Sequence, residues 1–565
     1  MLSIRKIGVI GRTYRHLNRY RQILTVFFKY GFGDLVDLLK IDQYIEIGLQ
    51  MISRHRRERL ERMTRAERVR LAMEELGPTY VKLGQVLSTR PDLIPVDFIH
   101  ELAKLQDEVP PFPFEDVHRI ITRELGDAPD AIFKHFDETP QASASIGQVH
   151  RAVLKDGDQV AVKVQRPGIR KTIEVDLEIM LHLATLMEHH IEEIAFYRPI
   201  KIVEEFAKTL ERELDYTFES SHMERMAGHL LSDMTVYVPK VYRELTTPKV
   251  LTAEFIDGIK ISETKQLEDA GLDRREITRR GAHILLRQVF EIGFFHGDPH
   301  PGNIFVLPEN VICLLDFGMV GSVDRQTRED FVELVDAVVH RHEARTAQVL
   351  LKLTTWDEKP DMRSFEKDVA DFMGRHLYRP LEEINFGRLL QHLLELAAQN
   401  RLIIPPDIFL MMKTLAAVEG VARMLDPTFD IFATAAPFVK QVKIARFHPE
   451  RLTDDFLRLS TELLEFLQQF PTELLDITRQ MRQQKFALPV ELKGLTAMLE
   501  THDQSSNRVS FAIIIAGLII GSSIIVVANI PPLFYGISLI GIIVFITGAV
   551  MGLWLLVAII KKGRL

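Results

Sequence analysis

The spacing of apolar and polar residues changes along the chain. From position 42 to about 108, as in TRAERVRLAMEELGPTYVKLGQVLSTR, apolar residues recur every three or four positions between charges, which predicts amphipathic helices. The segment VPPFPFE at 109–115 interrupts this spacing, because its prolines cannot lie together inside a helix. We therefore predict a helical extension over 1–114, ending at this segment.

Short extended segments follow the boundary. A helix is predicted over 115–125, and then two strands, IGQVHRAVL and QVAVKVQ, flank the sequence KDGD. Alternating apolar residues on both sides of an Asp-Gly turn predict a β-hairpin. Two long helical patterns, 173–194 and 200–230, come next, before the extended stretches TVYVPKVY and KVLTAEFIDG.

The second half of the chain is predicted to be mainly helical. From 262 to about 500 the spacing is helical apart from short strands around HGDPHPGNIF at 296–305 and LLDFG at 314–318. A few strands followed by a helical half are typical of an α+β fold with two lobes. The predicted domains after the extension are a first lobe with a helical insertion at 115–257, a helical second lobe at 258–440 and a helical linker at 441–508.

The C-terminal region is apolar enough to lie in a membrane. Two uncharged apolar runs, 509–528 and 533–560, are each long enough to cross a hydrocarbon layer of about 30 Å. They predict a transmembrane helical hairpin over 509–560. Basic residues flank it on both sides and place both ends in the cytoplasm by the positive-inside rule: Arg508, Lys561, Lys562 and Arg564.

Glycine pairs within the hairpin predict close approach of helices. Gly517 and Gly521 stand four residues apart, as do Gly548 and Gly552. Packing between the two helices of the hairpin and formation of a homodimer are the alternatives.

Length, charge and cysteine usage limit the classes of protein. The 565 residues exceed the size of about 250 to 300 residues at which a single core stops growing, so at least two folded units are expected. The net charge of −8 gives no support to nucleic-acid binding. The lone Cys313 excludes an internal disulfide and a cysteine-built zinc site, and its apolar surroundings predict a buried core residue.

The N-terminal segment is basic and lacks the continuous apolar core of a cleavable signal. Its alternatives are an amphipathic helix on a membrane surface, a basic helix packed on the main domain, and a transit peptide. The basic residues are Arg5, Lys6, Arg12, Arg15, Arg19 and Arg21.

The two motifs in the second lobe predict a phosphoryl-transfer site. Asp298 and Asn303 have the D-x-x-x-x-N spacing of a kinase catalytic loop, in which the aspartate positions the attacking hydroxyl and the asparagine binds magnesium. Asp316, in the sequence DFG, supplies a carboxylate for metal bridging the β- and γ-phosphates of ATP. Magnesium suits such a site because it takes a few oxygen ligands and keeps several waters.

Upstream residues complete the predicted nucleotide site. Lys163 in VAVKV stands where a strand lysine reaches the α- and β-phosphates. The preceding loop has the register of G-x-G-x-x-G-x-V with its first two glycines replaced by alanine, and alanine cannot reach positive φ without strain. We therefore expect the loop to close over phosphate differently, with altered nucleotide selectivity or restrained transfer. It comprises Ala142, Ser143, Ala144, Ser145, Ile146, Gly147, Gln148 and Val149.

The platform for a peptide substrate is missing from the sequence. In protein kinases a long activation segment follows DFG and ends in A-P-E, whereas here MVGSVDRQTREDF predicts a helix start within a few residues of Gly318. Gly297 replaces the arginine of H-R-D. Phosphorylation of another protein is therefore disfavoured. The loop HGD-x-x-x-x-N also resembles those of aminoglycoside and choline kinases, so a small-molecule or lipid kinase is an alternative.

Six motifs in one order resemble the UbiB family of atypical kinases. These are KLGQ, ASASIGQVHRA, VAVKVQRPG, ELDYTFES, HGDPHPGN and LLDFG, and the match spans roughly 70–440. The resemblance implies a protein-kinase-like fold that binds ATP and magnesium, acts as an ATPase, and supports synthesis of ubiquinone or a related prenyl quinone. A nucleotide-sensing scaffold without catalysis is a further alternative.

The resemblance also implies roles for the extension and the acidic motif. Lys82 and Gln85 belong to K-x-G-Q, which in the family folds across the substrate cleft so that its lysine meets the E-x-D acids, here Glu213 and Asp215. Glu219 is the expected partner of Lys163. It lies on the same predicted helix as Glu213, so the two glutamates are expected to point in different directions.

Two other positions are left with less specific roles. Glu254, in LTAEFIDG, is expected near the adenine, with an ordinary strand-end acid as the alternative. His222 stands where the family often has asparagine, a departure expected to affect a local contact.

The resemblance further implies a location and partners. The expected location is the inner (cytoplasmic) membrane of a bacterium, as a multi-pass protein with its kinase-like domain and both termini in the cytoplasm. The implied partners are membrane lipids, prenyl quinone intermediates and quinone-biosynthesis enzymes.

Overall fold

The computed structural model describes residues 14–33, 63–88, 90, 93–105, 109–190, 199–356, 360–376, 386–445, 495–528, 530–534 and 537–561. The chain divides into two compact units, Met1–Leu452 and Thr453–Leu565, as its length led us to expect. Most of the predicted linker, 446–494, lies outside the described residues, as does 34–62 of the helical extension.

The first unit contains helices and strands in the predicted order. Its helices are α1 (Tyr14–Lys29), α2 (Arg65–Leu76), α3 (Pro78–Leu87), α4 (Val96–Leu102), α5 (Phe114–Leu125), α6 (Pro129–Ile132), α7 (Ile169–His190), α8 (Pro199–Glu213), α9 (Tyr216–Leu230), α10 (Thr264–Asp269), α11 (Arg274–Arg287), α12 (Arg325–Val339), α13 (Glu343–Leu353), α14 (Met362–His376), α15 (Phe386–Gln399), α16 (Pro406–Leu425) and α17 (Ile431–Ala445). Its strands are β1 (Phe133–Phe136), β2 (Ala142–Ser143), β3 (Gly147–Leu154), β4 (Gln159–Gln165), β5 (Val236–Tyr237), β6 (Val250–Glu254), β7 (Ile259–Lys260), β8 (Phe294–His296), β9 (Ile304–Leu307), β10 (Val311–Leu314) and β11 (Val320–Ser322).

A five-stranded sheet forms the first lobe, in the order β1-β3-β4-β6 with β2 paired to β3. The predicted hairpin is β3 and β4, and Gly157 takes φ +103° in its turn, a conformation that favours glycine. Val160, Val162 and Val164 alternate along β4 and are buried against helix α5. Because side chains alternate across a strand, Lys163 lies on the opposite face of the sheet.

The predicted helix over 200–230 is two helices, and here the sequence prediction was wrong. Helix α8 ends at Glu213, and the Asp215 side chain caps α9 by accepting a hydrogen bond from the Thr217 amide at 3.0 Å. The Gln165 side chain donates to the Leu214 carbonyl at 2.9 Å and ties this break to β4. Apolar spacing continues across the break, so the periodicity did not reveal it.

Helix α1 packs on the first unit through one buried ion pair. The Arg19 guanidinium donates to both carboxylate oxygens of Asp176 on α7, at 2.7 and 3.0 Å, and to the Leu76 carbonyl at 2.8 Å. Asp176 is fully buried. Ile23 and Leu24 join a core shared with α2, α3, α7 and α8, which we call the extension core. Of the alternatives for the basic N-terminus, residues 14–29 therefore show the helix packed on the main domain.

The second lobe consists of helices around two small sheets. One sheet has the order β5-β10-β9-β7, and the other pairs β8 with β11. Helix α12 follows β11 directly, and the Asp324 side chain caps it by accepting from the Thr327 amide at 2.7 Å. The predicted helix start after LLDFG is thus confirmed, and residues 319–324 are all that separate Gly318 from α12.

The second unit contains α18 (Leu495–Val527) and α19 (Leu539–Lys561), joined through the short strands β12 (Leu533–Phe534) and β13 (Ile537–Ser538). Within the described residues, Val509–Val527 is long and apolar enough to cross a membrane, with a mean hydropathy of 2.6. A shorter apolar helix covers Leu539–Leu555. The second span of the predicted hairpin therefore stays a prediction.

The two glycine pairs of this unit differ in their surroundings. A Cβ at Gly548 would lie 3.3 Å from the Ile519 side chain, and one at Gly552 would lie 3.6 Å from Ile515, so this pair faces α18. Gly517 and Gly521 have no such neighbour within 4 Å. Packing between α18 and α19 accounts for Gly548 and Gly552.

Candidate nucleotide and magnesium site

One β-hairpin brings the two predicted metal ligands together. Strands β9 and β10 run antiparallel with Ile304 opposite Leu314, and the Leu315 amide donates to the Asn303 carbonyl at 2.9 Å. Asn303 and Asp316 therefore lie side by side at the same end of the hairpin. The sequence spacing that suggested a shared magnesium site corresponds to this register.

Asp316 has an unusual backbone conformation and remains charged. Its φ is +57°, in the left-handed region that aspartate tolerates better than most residues, and its Oδ1 accepts from the Gly318 amide at 3.1 Å. Desolvation by the surrounding protein raises the pKa of Asp316. Attraction to Lys163 and the Gly318 hydrogen bond outweigh it, so the pKa lies below its usual range.

The donor set at the hairpin suits magnesium bound together with a nucleotide. It offers one carboxylate from Asp316 and one amide oxygen from Asn303. Among the described residues no group of three or more histidines, cysteines or acids is arranged to bind a metal. Magnesium commonly takes one or two carboxylates plus substrate phosphates and waters, so these residues fit it without a complete protein cage.

The catalytic loop is fixed by His296. Its Nδ1 accepts from the Asp298 amide at 3.2 Å, and its Nε2 donates to the Leu315 carbonyl at 2.9 Å. His296 thus orients the loop through backbone hydrogen bonds. The Asn303 side chain adds a bond to the Asp298 carbonyl at 3.3 Å. The Asp298 carboxylate remains 47% exposed, so a reacting hydroxyl can approach it.

Lys163 makes the ion pair predicted with Glu219. Its Nζ donates to the two carboxylate oxygens at 2.8 and 3.1 Å, from a cleft-facing position on β4 to helix α9. Burial alone would lower the pKa of Lys163, but attraction to Glu219 and Asp316 has the larger effect. The pKa therefore lies above its usual value, and the lysine is charged. Burial raises the pKa of Glu219 against the opposing effect of the lysine, and we take the pair as ionised at neutral pH because the two groups are in direct contact.

The alanine loop is a tight hairpin that uses no left-handed residue. Ala142 pairs with Val149 and Ser143 with Gln148, while the Ala144 amide donates to the Gly147 carbonyl at 2.8 Å. All of residues 142–149 have negative φ, as expected where alanine replaces glycine.

The tip and the end of this loop are enclosed by other elements. Ser145 is buried, and Ile146 packs against the extension core. A Cβ at Gly147 would lie 2.3 Å from the Tyr216 hydroxyl and 2.6 Å from the Val164 carbonyl, so no side chain fits there. The loop is thus held by α9 on one side and by the extension on the other.

Arg166 also supports the loop, a role that sequence reasoning missed. Its amide donates to the Ile146 carbonyl at 2.7 Å, and its guanidinium donates to the Pro110 carbonyl at 2.9 Å. The same Nη2 lies 3.4 Å from both the Ser143 hydroxyl and the Ala144 carbonyl. The arginine follows Lys163 in the motif QRPG, but nothing local reveals partners so far away in the chain.

Gln148 ties the loop to the proline-rich boundary. Its side chain accepts from the Phe112 amide at 2.9 Å and donates to the Phe112 carbonyl at 3.2 Å. Gln148 is 1% exposed, and these bonds satisfy an amide that would be costly to bury alone. Its observed role is structural.

Lys82 of the helical extension contacts one of the two acids of the E-x-D motif, Glu213. Lys82 Nζ lies 3.1 Å from Glu213 Oε2, as the resemblance implied. Asp215 caps helix α9 instead. Glu213 and Glu219 pair with different lysines, as expected. They do so from separate helices, α8 and α9, so the expectation that they share one helix was wrong. Gln85 donates to the Leu105 carbonyl at 3.4 Å.

Glu254 ends strand β6 in a hydrogen-bonded cluster. Its carboxylate accepts from the Tyr237 hydroxyl at 2.6 Å and from the Lys240 amide at 3.2 Å. Burial and the bond to Glu254 raise the pKa of Tyr237 to about 12. The carboxylate therefore has the strand-end role, and a contact of Glu254 with adenine stays a prediction.

His222 and Cys313 both lie near the DFG segment in the chain's fold or sequence and were singled out from the sequence. The His222 Nδ1 donates to the Phe317 carbonyl at 3.0 Å, which links helix α9 to the DFG segment. The position noted as a departure from the family pattern thus contacts the DFG segment. Cys313 is fully buried, as expected, and burial raises its pKa to about 12.

Gly297 stands in a tight contact, where the arginine of H-R-D would have to displace its neighbours. A Cβ there would lie 3.0 Å from Met319 Cγ and 3.1 Å from Leu410 Cδ2 on helix α16. We expect Gly297→Val to destabilise the protein by about 1 to 3 kcal/mol, because the added methyl groups overfill this contact. Thermal unfolding of the full chain in detergent measures the effect.

Gly420 provides the matched control for this substitution. It lies on α16 with nothing within 4 Å of an added Cβ, so Gly420→Ala is expected to leave stability unchanged or raise it by up to about 1 kcal/mol. Equal unfolding midpoints for Gly297→Val and the unchanged protein would contradict the packing argument.

Comparison with known proteins agrees with this geometry. The ABC1 atypical kinase-like domain matches residues 104–350, the UbiB helical domain matches 369–430, and the ABC1/UbiB kinase-like C-terminal domain matches 493–561. The matched regions correspond to the two lobes and the C-terminal apolar helices. The kinase-like α+β fold predicted from the sequence is confirmed at this level.

Individual relatives cover most of the chain. The probable protein kinase UbiB of Cellvibrio japonicus is 36% identical over 425 residues, which is 74% of this chain and 77% of the relative. That of Xylella fastidiosa is 32% identical over 515 residues, or 90% and 93%. An uncharacterised protein in the hydrogenase 1 5′ region of Clostridium pasteurianum is 31% identical over 547 residues, or 97% and 99%.

A solved structure is also similar. The complex of Rv3197 with erythromycin from Mycobacterium tuberculosis is 26% identical, covers 61% of this chain and 87% of that chain, and has a TM-score of 0.45. The family assignment depends on the sequence relatives and the domain matches. The chain belongs to the UbiB family of ABC1 atypical kinase-like proteins.

Proposed function

We propose that the protein is a membrane-anchored ATPase with a kinase-like fold, which binds ATP with magnesium and supports synthesis of ubiquinone or a related prenyl quinone. The observation that carries the proposal is the convergence of charged groups from both lobes. Attraction between Lys163 and Asp316 raises the pKa of the lysine and lowers that of the aspartate. Asn303 lies next to Asp316 on the β9–β10 hairpin, and its side chain donates to the Asp298 carbonyl. Phosphoryl transfer relies on such positioned charge more than on covalent chemistry by the protein.

The residues have separate tasks in the proposed hydrolysis. Lys163 binds the α- and β-phosphates. Asn303 and Asp316 would hold magnesium, which would supply positive charge against the phosphates. Asp298 accepts a hydrogen bond from the attacking water. The water oxygen bonds to the γ-phosphorus, the bond to the β–γ bridging oxygen breaks with its electrons going to ADP, and the proton passes through Asp298 to solvent.

Two features support hydrolysis over phosphorylation of another protein. Only residues 319–324 lie between Gly318 and helix α12, a length too short for the activation segment that binds a peptide. The Lys82 and Glu213 ion pair joins the K-x-G-Q helix to the end of α8 next to the first lobe. The side chains of this pair are 20% and 17% exposed, so breaking it would leave a poorly solvated charge. The pair therefore holds the K-x-G-Q helix in place, where it is expected to cover the cleft that a protein substrate would enter.

The membrane and quinone parts of the proposal have other supports. Helix Val509–Val527 is suited to anchor the protein in a bacterial inner membrane. We propose a multi-pass anchor with the kinase-like domain and both termini in the cytoplasm. The quinone role follows from membership of the UbiB family, and the proposed partners are membrane lipids, prenyl quinone intermediates and quinone-synthesising enzymes, with a homodimer as one assembly.

Phosphate release by the purified full chain tests the proposed activity. We expect ATP turnover that requires magnesium, is lost with a chelator, and is measured in detergent with and without anionic lipid vesicles. Turnover should survive Lys440→Met, because Lys440 is an exposed lysine on α17. Absence of turnover under all these conditions would overturn the ATPase, and unchanged quinone levels in a strain lacking the gene would overturn the quinone role.

A small-molecule or lipid kinase is the second candidate, and the exposure of Asp298 favours it. Because its carboxylate is 47% exposed, a substrate hydroxyl can take the place of water beside it. Incubation with ATP labelled at the γ-phosphate distinguishes the two. Label recovered in a lipid extract supports the kinase, whereas label recovered only as inorganic phosphate supports the ATPase.

A further inference from the structure

Helix α16 forms the back of the catalytic loop. The Thr414 hydroxyl, fully buried, lies 3.4 Å from the His296 carbonyl and 3.5 Å from the Gly297 carbonyl. Leu410, one turn earlier, limits the space at Gly297. The loop and the helix are separated by 118 residues in the chain, so neither motif in the sequence reveals this contact.

The residue before Thr414 reaches the reacting end of the loop. Lys413 Nζ lies 3.9 Å from Asp298 Oδ1, a distance too long for a direct hydrogen bond. The Lys413 side chain is 34% exposed and that of Asp298 is 47% exposed, so both are open to water. An ion pair of this kind contributes little to stability, so the fold does not depend on the ammonium staying beside Asp298.

A phosphoryl group at this loop needs a cation that the loop itself lacks. Charge on the transferred phosphoryl spreads over three oxygens, and kinases and ATPases neutralise it with metal and basic side chains. Between Asp298 and Asn303 the sequence is PHPG, without lysine or arginine, and Gly297 replaces the arginine of H-R-D. Lys163 is paired with Glu219 on the side of the first lobe.

We propose that Lys413 binds the terminal phosphate of ATP and neutralises it during transfer, a role that rests on the ATPase proposed above. Lysine is well suited to bind phosphate as a point charge. In the proposed reaction its ammonium moves from Asp298 to a γ-phosphate oxygen when ATP is bound. Asp298, no longer partly neutralised by the ammonium, then accepts a stronger hydrogen bond from the attacking water. Lys413 is thus the contribution of the helical second lobe to the catalytic centre.

Binding of ATP and ADP to Lys413 variants tests this proposal. Because ADP lacks the γ-phosphate, Lys413→Met is expected to weaken ATP binding by about tenfold to a hundredfold and to leave ADP binding within about twofold. Lys413→Arg keeps the charge and should retain most of the ATP affinity. Calorimetric titration of the full chain in detergent with magnesium measures both nucleotides, and turnover is measured in parallel.

The control and the contradicting results are distinct. Lys440→Met removes an exposed lysine of α17 and should change neither affinity. Equal loss of ATP and ADP binding in Lys413→Met would indicate a structural effect and overturn the role of Lys413, as would unchanged ATP binding. If the unchanged protein binds ATP and Lys413→Met binds it equally well, only the role of Lys413 is overturned. If the unchanged protein binds no ATP, the proposed ATPase is overturned together with the role of Lys413.

Discussion

Replacing Asp316 by asparagine is expected to lower magnesium-dependent ATP turnover by about 10² to 10³-fold. The substitution removes the one carboxylate that the Asn303 and Asp316 pair offers to the metal, and removal of a single charge-stabilising group in an active site commonly has an effect of this size. Asparagine tolerates the left-handed conformation that Asp316 adopts at φ +57°. The fold should therefore persist, so the loss reports on metal binding.

Turnover measured over a range of magnesium concentrations checks this prediction. The variant should need more metal and remain slow when metal is in excess. Thermal unfolding without nucleotide should show a protein that is still folded at the assay temperature, with a lower midpoint because the attraction between Asp316 and Lys163 is lost. Asp130→Asn, at an exposed position on α6, is the matched control and should keep full activity. Turnover of Asp316→Asn within about twofold of the unchanged protein would remove Asp316 from the metal site.

The second large effect concerns the ion pair that docks helix α1. We expect Arg19→Leu to destabilise the first unit by about 3 to 5 kcal/mol, because it leaves the fully buried carboxylate of Asp176 without its cation. Replacing both partners, in Arg19→Leu with Asp176→Leu, should recover most of that loss, since a hydrophobic pair of suitable volume can substitute for a buried ion pair. Denaturant unfolding of the full chain in detergent measures both variants.

Arg21, an exposed residue on the same helix, provides the control for the Arg19 variants. Arg21→Leu should change stability by no more than about 0.5 kcal/mol. If the double variant were no more stable than Arg19→Leu alone, the unpaired buried charge would not be the cause. Packing of α1 would then depend mainly on its apolar residues, such as Ile23 and Leu24.

The parts of the site that sequence predicted are local in the chain or repeat a periodic pattern. Asn303 and Asp316 share a hairpin, so their spacing in sequence determines their spacing in space. Lys163 was identifiable because alternation along β4 places it opposite a row of buried valines. Gly297 was visible as a departure from a known motif, although the close packing around it was not.

The parts that sequence did not predict depend on distant contacts or on a single capping residue. The break between α8 and α9 depends on Asp215, whose capping role is indistinguishable by periodicity from that of a surface acid. The partners of Arg166 and Lys413 lie far away in the chain and carry no local signal. Tertiary packing, which apolar spacing does not specify, places them at the cleft.

The hydrogen bonds of Thr414 have a consequence for how this protein can be divided. The ABC1 atypical kinase-like region ends at residue 350, and Thr414 belongs to the UbiB helical domain. A fragment ending at residue 350 would include the catalytic loop but lose the hydroxyl that contacts its carbonyls at His296 and Gly297. Expression boundaries and chimeras between relatives should therefore treat 104–350, α16 and α17 as one inseparable module. The earliest useful stop codon lies after Ala445, because Phe438 of α17 is buried in the same core.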